Sequence, residues 1–414
     1  MRRVVITGLG TVNALGLDVK ECWPKFLAGE NGITPITKFD ASGHTAQIEG
    51  AVKWDQSEYF SGSDARKLDP FTMFALVATQ EALSDAGLGD VRELPEEARE
   101  RFGAVLGTGI GGITGILDQE GIFQDRGPRR VSPHFVPRIM ANAVSGQVAI
   151  AHGLLGTVFT TSSACASSGH AIGVAFQSIR YGESDVVITG GAESSTTPLA
   201  LAGFCSAKAV STRNESPELA SRPFDKERDG FVMGEGCGIL ILEEYEHAKA
   251  RGATIYAEMK GYGSTDDAFH ITAPQEDGGG PSRAMTLALK QGGVDVDAVD
   301  YINAHGTSTP YNDAIETRAI RKTFGAHADA LMVSSTKSMI GHCLGASSAV
   351  ELVATALSVH HGAVHPTRNY QTPDPDCDLD YVPGEAREVV VRNALSNSLG
   401  FGGHNVSLLI GQAD

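Results

Sequence analysis

The stretch Thr160 to Gly173, TTSSACASSGHAIG, sets Cys165 among small hydroxylated residues. Val158 and Phe159 lead in, and Gly169, Ile172, Phe176 and Ile179 recur at helical spacing behind it. This pattern predicts a strand, a tight turn and a helix, with the thiol on the helix's first turn. Unpaired backbone N–H groups and the positive end of the helix dipole favour a thiolate there, by up to about 2 kcal/mol, which suits a nucleophile. A small buried hydrophobe also fits a lone cysteine, so this stretch leaves both roles open.

Two further segments carry groups that could share a pocket with Cys165. YINAHGTSTP puts His305 at the end of a strand-like run, ahead of a Gly/Thr/Pro turn, and SSTKSMIGHCLG puts Lys337 and His342 at a second strand-to-helix junction. Loops at the carboxyl ends of strands are where α/β folds collect ligands. Each histidine by itself fits a structural place, whereas the trio in equivalent contexts points to one pocket. SNSLGFGGHN, Ser396 to Asn405, reads as a glycine-rich turn between two strands carrying Phe401; its amides can serve an oxyanion, and a plain hairpin turn fits it equally. GTGIGG, with Gly107, Gly109 and Gly112, formally matches a dinucleotide-binding loop, but no acidic residue closes a second strand about 20 residues on. Lys337 lacks the upstream glycines of a phosphate-binding loop, and nothing near it supports a pyridoxal site.

The elements that must position these groups alternate. Strand-like runs fall at Val4–Thr7, Phe102–Leu106, Asp185–Thr189, Gly238–Leu242, Val299–Ala304, Leu331–Ser335, Val389–Leu395 and Val406–Ile410, with helical patterns at Asp69–Ala86, Ser282–Gln291, Asp313–Phe324 and Gly345–His360. Alternation of this kind predicts an α/β protein with helix-covered sheets. Val158–Ile179 and Leu331–His360 share one plan, strand to Ser/Thr-rich turn to a helix opening with small residues. A duplicated unit whose halves meet near residue 255 follows. The small residues predict that both helices are packed on two sides, so that a substrate reaches them through a tunnel.

Composition bounds the rest. The 414 residues, 42% of them apolar, can bury one large core or two of medium size. A net charge of −17 disfavours nucleic acid and anionic membranes, and no apolar run reaches the roughly 18 residues of a membrane span. Six dispersed cysteines without a C-x-x-C pair predict reduced thiols, a cytoplasmic setting and no metal site. The basic clusters Arg66 with Lys67, Arg126 with Arg129 and Arg130, and Lys208 with Arg213 read as ordinary solvated charge.

Taken together, RRVVITGLG, SRPFDKERDGFVMGEG, EEYEHAKARGA, NAHGTSTP, SSTKSMIGH and SNSLGFGGHN resemble the β-ketoacyl-[acyl-carrier-protein] synthases of the thiolase-like superfamily, nearly end to end and most closely the elongating type II enzymes. Ser168 departs from the type II pattern, which usually has glycine there, and this leaves chain-length preference open. The resemblance implies a thiolase-like fold of two duplicated αβαβα halves in a five-layered core, divided as 1–255 and 256–414. It implies Cys165 as acyl acceptor with His305 and His342 beside it, Lys337 and Glu351 in a supporting network, and an oxyanion hole from the amides of Cys165 and Phe401, whose ring gates the thiol. It further implies substrate contacts from Ile110, Thr307 and Thr309, a homodimer, no metal or organic cofactor, and an acyl carrier protein docked on Arg66, Lys67, Arg129, Arg130, Lys208 and Arg213. The activity implied is decarboxylative condensation of a malonyl carrier with the chain held on Cys165, for fatty acids or, in the same chemistry, polyketides. A non-catalytic partner subunit and a dinucleotide-dependent oxidoreductase are the competing readings.

Overall fold

The computed structural model describes residues 1–413. Ten strands form one mixed sheet. Five come from the first part of the chain: β1 (Val4–Val12), β2 (Phe102–Gly107), β3 (Val158–Thr161), β4 (Val186–Glu193) and β5 (Gly236–Glu244). Five come from the second: β6 (Ala257–Asp266), β7 (Tyr301–Asn303), β8 (Met332–Ser334), β9 (Asn393–Gly400) and β10 (His404–Gly411). The first set is ordered β3-β2-β4-β5-β1 and the second β8-β7-β9-β10-β6, so each strand of one set has its counterpart five places on. Directions match as well: three parallel strands, then two antiparallel ones. A short antiparallel pairing, Val4 to Ile6 against Ala257 to Met259, joins the sets edge to edge.

The helices repeat in the same register. α1 (Pro70–Asp85), α2 (Ala143–His152) and α3 (Ser167–Arg180) follow β1, β2 and β3; α4 (Gly279–Gly292), α5 (Pro310–Phe324) and α6 (Ser347–His361) follow β6, β7 and β8. α1 covers β1 and β5, α4 covers β6 and β10, and α3 and α6 lie between strands of both sets. That gives five layers, helix–sheet–helix–sheet–helix, and the shared plan of Val158–Ile179 and Leu331–His360 is β3–α3 and β8–α6.

Why the middle helices are rich in small residues is visible in their contacts. A Cβ on Gly173 would come 2.3 Å from the Tyr262 ring, and one on Gly169 2.9 Å from Val406 Cγ1, so α3 approaches the second set of strands at backbone distance. The core between the layers holds Ile172, Phe176 and Ile179 of α3, Leu352, Val353 and Leu357 of α6, and Val4, Leu240, Met259 and Val406 of the strands. Full burial of each such aliphatic or aromatic side chain contributes about 1.5–3 kcal/mol.

Two strands differ from the sequence pattern. β6 alternates only over Ala257–Lys260; beyond that its buried positions are Gly261 and Gly263, where a Cβ would lie 2.1 Å from Ala288 O and 1.9 Å from Ala284 O of α4, so the apolar pattern stops after Met259. β9 starts at Asn393 instead of Val389, and its buried positions include Ser396, Asn397 and Ser398; Asn397 pairs with Ser407 and Met285, and Ser398 with Ser348, in place of apolar packing. Among the described residues no helix is long and apolar enough to cross a membrane, and all six cysteines are unpaired.

Candidate active site

Cys165 lies two residues ahead of α3, not on its first turn. Ala164 takes a left-handed φ of 51°, Ala166 N–H donates to Ser163 O at 3.1 Å, and Ser167 Oγ accepts from Ser163 N–H at 2.8 Å while donating to Ala164 O at 2.7 Å. The Ser167 side chain thus closes a tight elbow that delays the helix and projects the thiol away from the strand. A non-glycine residue with positive φ at such a point is strain of the kind functional turns hold.

The elbow faces the other half of the chain. Cys165 Sγ is 3.2 Å from His342 Nε2, the rings of His305 and His342 stand 5.3 Å apart at 83°, and all three side chains are buried. Each histidine is held by its backbone and by its second ring nitrogen. His305 N–H and Gly306 N–H each donate to the Glu316 carboxylate at 2.8 Å, and the amides of Thr307 and Ser308 donate to Asp313. Asp313 and Glu316 stand at i and i+3 on α5, so one helix face tethers the whole NAHGTS loop. Lys337 Nζ donates to His305 O at 2.7 Å, lies 3.4 Å from His305 Nδ1 and forms a buried ion pair with Glu351. Leu344 N–H donates to His342 Nδ1 at 3.2 Å, with Ser347 Oγ alongside at 2.8 Å and the Phe231 ring edge-on at 5.3 Å.

Donors against both Nδ1 atoms place the remaining ring proton on Nε2 of each imidazole. Burial, then the Lys337 charge, holds both histidines well below the usual imidazole range, so the pair is neutral and presents two N–H donors to the cavity. Ligand atoms of Cys165, His305 and His342 lie within 4.8 Å of one another, but the two nitrogens carry protons where a metal needs lone pairs. The thiol departs from the sequence-based expectation: burial pushes Cys165 up to about 11, against the pull of Lys337 and the Phe401 amide, so the resting sulfur is protonated. Desolvation outweighs the dipole because the sulfur is enclosed and the first helical turn begins two residues away. Burial likewise raises Glu316 to about 7, opposed by the amides of Gly306 and His305, and pushes Glu351 up against the pull of Lys337.

A cavity of about 490 Å³ opens over the sulfur, lined by Cys165, His305 and His342 together with Ile110, Thr307, Thr309 and Phe401. The Thr307 and Thr309 hydroxyls are 3.0 Å apart, and Phe401 is 40% exposed at the mouth. The turn bearing Phe401 is confined to residues 401–403, because β9 runs on to Gly400, whose backbone packs on the cysteine elbow. Of the six basic residues, Lys208 alone lines the cavity; Lys67 pairs with Asp64 at 2.9 Å and Arg213 lies 3.7 Å from Asp229, while Arg66, Arg129 and Arg130 are exposed and outside the cavity lining. Ser168 accepts from Ala349 N–H at 3.1 Å and so ties α3 to α6.

The glycine loop after β2 binds no phosphate, since its amides are already taken. Glu193, at the end of β4 and fully buried, accepts from Gly109 N–H at 2.6 Å, Ile110 N–H at 3.2 Å and Gly111 N–H at 3.4 Å. Neither Glu193 nor the Asp313–Glu316 pair was singled out by motif; the signal for the pair was two acids on the inner face of a predicted helix directly after NAHGTS.

These features define a duplicated α/β scaffold that buries a cysteine and two neutral histidines, contributed by its two halves, at one cavity. The chain belongs to the β-ketoacyl synthase family: the family's N-terminal domain matches residues 1–248 and its C-terminal domain residues 256–371. It is similar to the 3-oxoacyl-[acyl-carrier-protein] synthase 2 of a Synechocystis strain, 51% identical over 98% of this chain and 97% of that protein. The protein of the same name from Staphylococcus aureus is 47% identical over 99% of this chain and 98% of its own. Among solved structures, a β-ketoacyl synthase from Burkholderia phymatum superposes with a TM-score of 0.91 at 37% identity, and a type II polyketide ketosynthase in complex with its acyl-carrier protein with 0.91 at 36%, each covering 100% of both chains.

Proposed function

We propose that the chain is a 3-oxoacyl-[acyl-carrier-protein] synthase that lengthens an acyl chain held on Cys165 by two carbons from a malonyl thioester. In the first step Cys165 Sγ attacks the acyl thioester of the carrier. The S–C bond to Sγ forms, the carrier's S–C bond breaks, and the thiol proton passes to the leaving carrier sulfur. The amides of Cys165 and Phe401 serve the oxyanion. In the second step malonyl carrier loses CO2, and the electron pair of the broken C–C bond becomes an enolate on the thioester. His305 and His342 stabilise its oxygen through their Nε2–H groups, which neutral imidazoles do without mutual repulsion. The carbanion then attacks the acyl carbon, the bond to Sγ breaks, and the 3-oxoacyl carrier leaves a thiolate that takes a proton from water.

One observation carries this reading: the convergence of one sulfur and two Nε2–H groups, from separate halves of the chain, on one enclosed cavity. Lys337 acts as a positioning residue, fixing His305 through its carbonyl and keeping both rings neutral, with Glu351 balancing its charge. Thr307 and Thr309 line the path of the carrier's arm, Phe401 is the gate, and Ile110 bounds the acyl end. The pairing of strand sets supports a division into 1–255 and 256–414. The carrier protein docks at the mouth marked by Lys208. A homodimer forms along β3, one of the two outer strands, which carries exposed Phe159 and is flanked by exposed Ile150, Leu155 and Tyr181. Six unpaired cysteines suit a reducing cytoplasm. Intact-protein mass spectrometry after exposure to acyl carriers of graded length, with Cys165→Ala as control, tests the assignment. An acyl adduct on the parent and none on the variant is expected; adduct on both, or on neither, refutes it.

A further inference from the structure

The Glu193 carboxylate reaches further than the glycine loop. Its Oε2 accepts from Gly345 N–H at 3.2 Å, and Gly345 belongs to the other half, in the turn between His342 and α6. The two backbones meet so closely there that a Cβ on Gly345 would lie 2.1 Å from Gly109 N. Thr108 Oγ1 and Ser195 Oγ donate to Oε1 at 3.3 and 2.8 Å, so every hydrogen-bonding neighbour of the carboxylate is a donor; burial pushes the group up, and these donors favour the ionised form against it. On one side of this clasp Ile110 lines the acyl cavity; on the other, Leu344 takes a φ of 45°, lines the same cavity and donates its amide to His342 Nδ1.

Resting on the condensing activity proposed above, we infer that Glu193 is a positioning residue: it locks the Gly109–Gly111 loop to the Gly345 turn, so that the wall of the acyl pocket and the Nε2–H donor of His342 are held as one unit across the two halves. A neutral amide in its place keeps a single acceptor: either orientation sets an NH2 against backbone N–H groups, those of Gly109 and Gly345 on one side or of Ile110 and Gly111 on the other, and so loosens the clasp. The carboxylate also faces the sulfur electrostatically and opposes its ionisation, in contrast to Lys337. Loss of the charge therefore makes Cys165 easier to deprotonate.

The test compares the parent with Glu193→Gln, and with Ser195→Ala, which removes one donor to the clasp and keeps the charge. Expected for Glu193→Gln is a kcat for CO2 release from malonyl carrier reduced about 10–100-fold with KM within about twofold. Iodoacetamide should label Cys165 about three- to tenfold faster at pH 8, and peptides holding Gly109–Gly111 and Gly345 should exchange amide hydrogens faster together. Ser195→Ala should lose activity in the same direction by about two- to fivefold with an unchanged labelling profile. CO2 release within twofold of the parent, an unmoved labelling profile, or losses that only track the unfolded fraction in a melting experiment overturn the inference. Labelling and exchange need no turnover. Should the parent itself neither take an acyl group nor release CO2, the proposed activity fails while the clasp is still decided.

Discussion

Replacing His305 by alanine separates the two half-reactions. In the parent its Nε2–H is one of two donors aimed into the cavity, 5.3 Å ring to ring from His342, and its Nδ1 meets Lys337. The variant keeps the backbone carbonyl that accepts from Lys337 Nζ at 2.7 Å and the amide that donates to Glu316 at 2.8 Å, so the loop stays tethered and the Lys337–Glu351 pair stays intact. What is lost is one preorganised hydrogen bond to a developing oxyanion, which costs about 10²–10³ in rate, or roughly 2.7–4 kcal/mol. Acylation of Cys165 relies on the sulfur, its own amide and that of Phe401, and should stay within about fivefold of the parent. The assay pairs CO2 release from malonyl carrier with mass spectrometry of the acyl adduct. Release at the parental rate sinks the donor assignment. Loss of both half-reactions together would instead mean that His305 acts through the sulfur. His342→Ala is the contrasting variant: its nitrogen touches Sγ at 3.2 Å, so both half-reactions should slow.

Iodoacetamide labelling of resting Cys165 should keep rising through pH 9 to 10, since burial raises the thiol to about 11; a plateau by pH 8 would contradict this. Lys337→Met combined with Glu351→Gln removes the charge that depresses both imidazoles without stranding its partner, so the acid limb of CO2 release should move to higher pH; an unmoved limb counts against neutral imidazole donors. His365, fully buried and held at about 4 by burial, is neutral in the folded state where the unfolded chain binds a proton below about 6.5. Stability is therefore lost as pH falls through that interval, by about 3 kcal/mol from this residue, and denaturant titrations of His365→Gln should show a shallower fall between pH 6.5 and 4. An equal slope in both proteins would refute it. Lys208→Glu should raise KM for carrier-bound substrate and leave a small pantetheine thioester unaffected; equal effects would remove Lys208 from the docking surface.

The chemistry was legible in the sequence because each reacting group sits in its own strand-to-loop context: Cys165 after β3, His305 after β7, and Lys337 and His342 after β8. Short stretches that mix apolar and β-branched residues mark those strands, and small residues mark the helices that pack on both sides. The duplication was legible only as two similar segments, and its extent came from strand order. β6 stayed hidden because after Ala257 and Met259 its buried residues are Gly261 and Gly263, which allow the close approach of α4 and are silent in any hydrophobic pattern. β9 was displaced because its buried face is hydroxyl and amide.

Residue types and their local order, then, determined which groups can react and on which elements they lie, since both follow from short-range periodicity and turn chemistry. Tertiary structure alone decided the protonation of the site and the partners of its amides. A thiol at a helix start reads as acidic until enclosure outweighs the dipole, and a glycine loop reads as a phosphate cradle until Glu193, more than eighty residues away in the chain, fills it. Both outcomes depend on desolvation and on donors brought from distant segments, quantities that no local stretch contains.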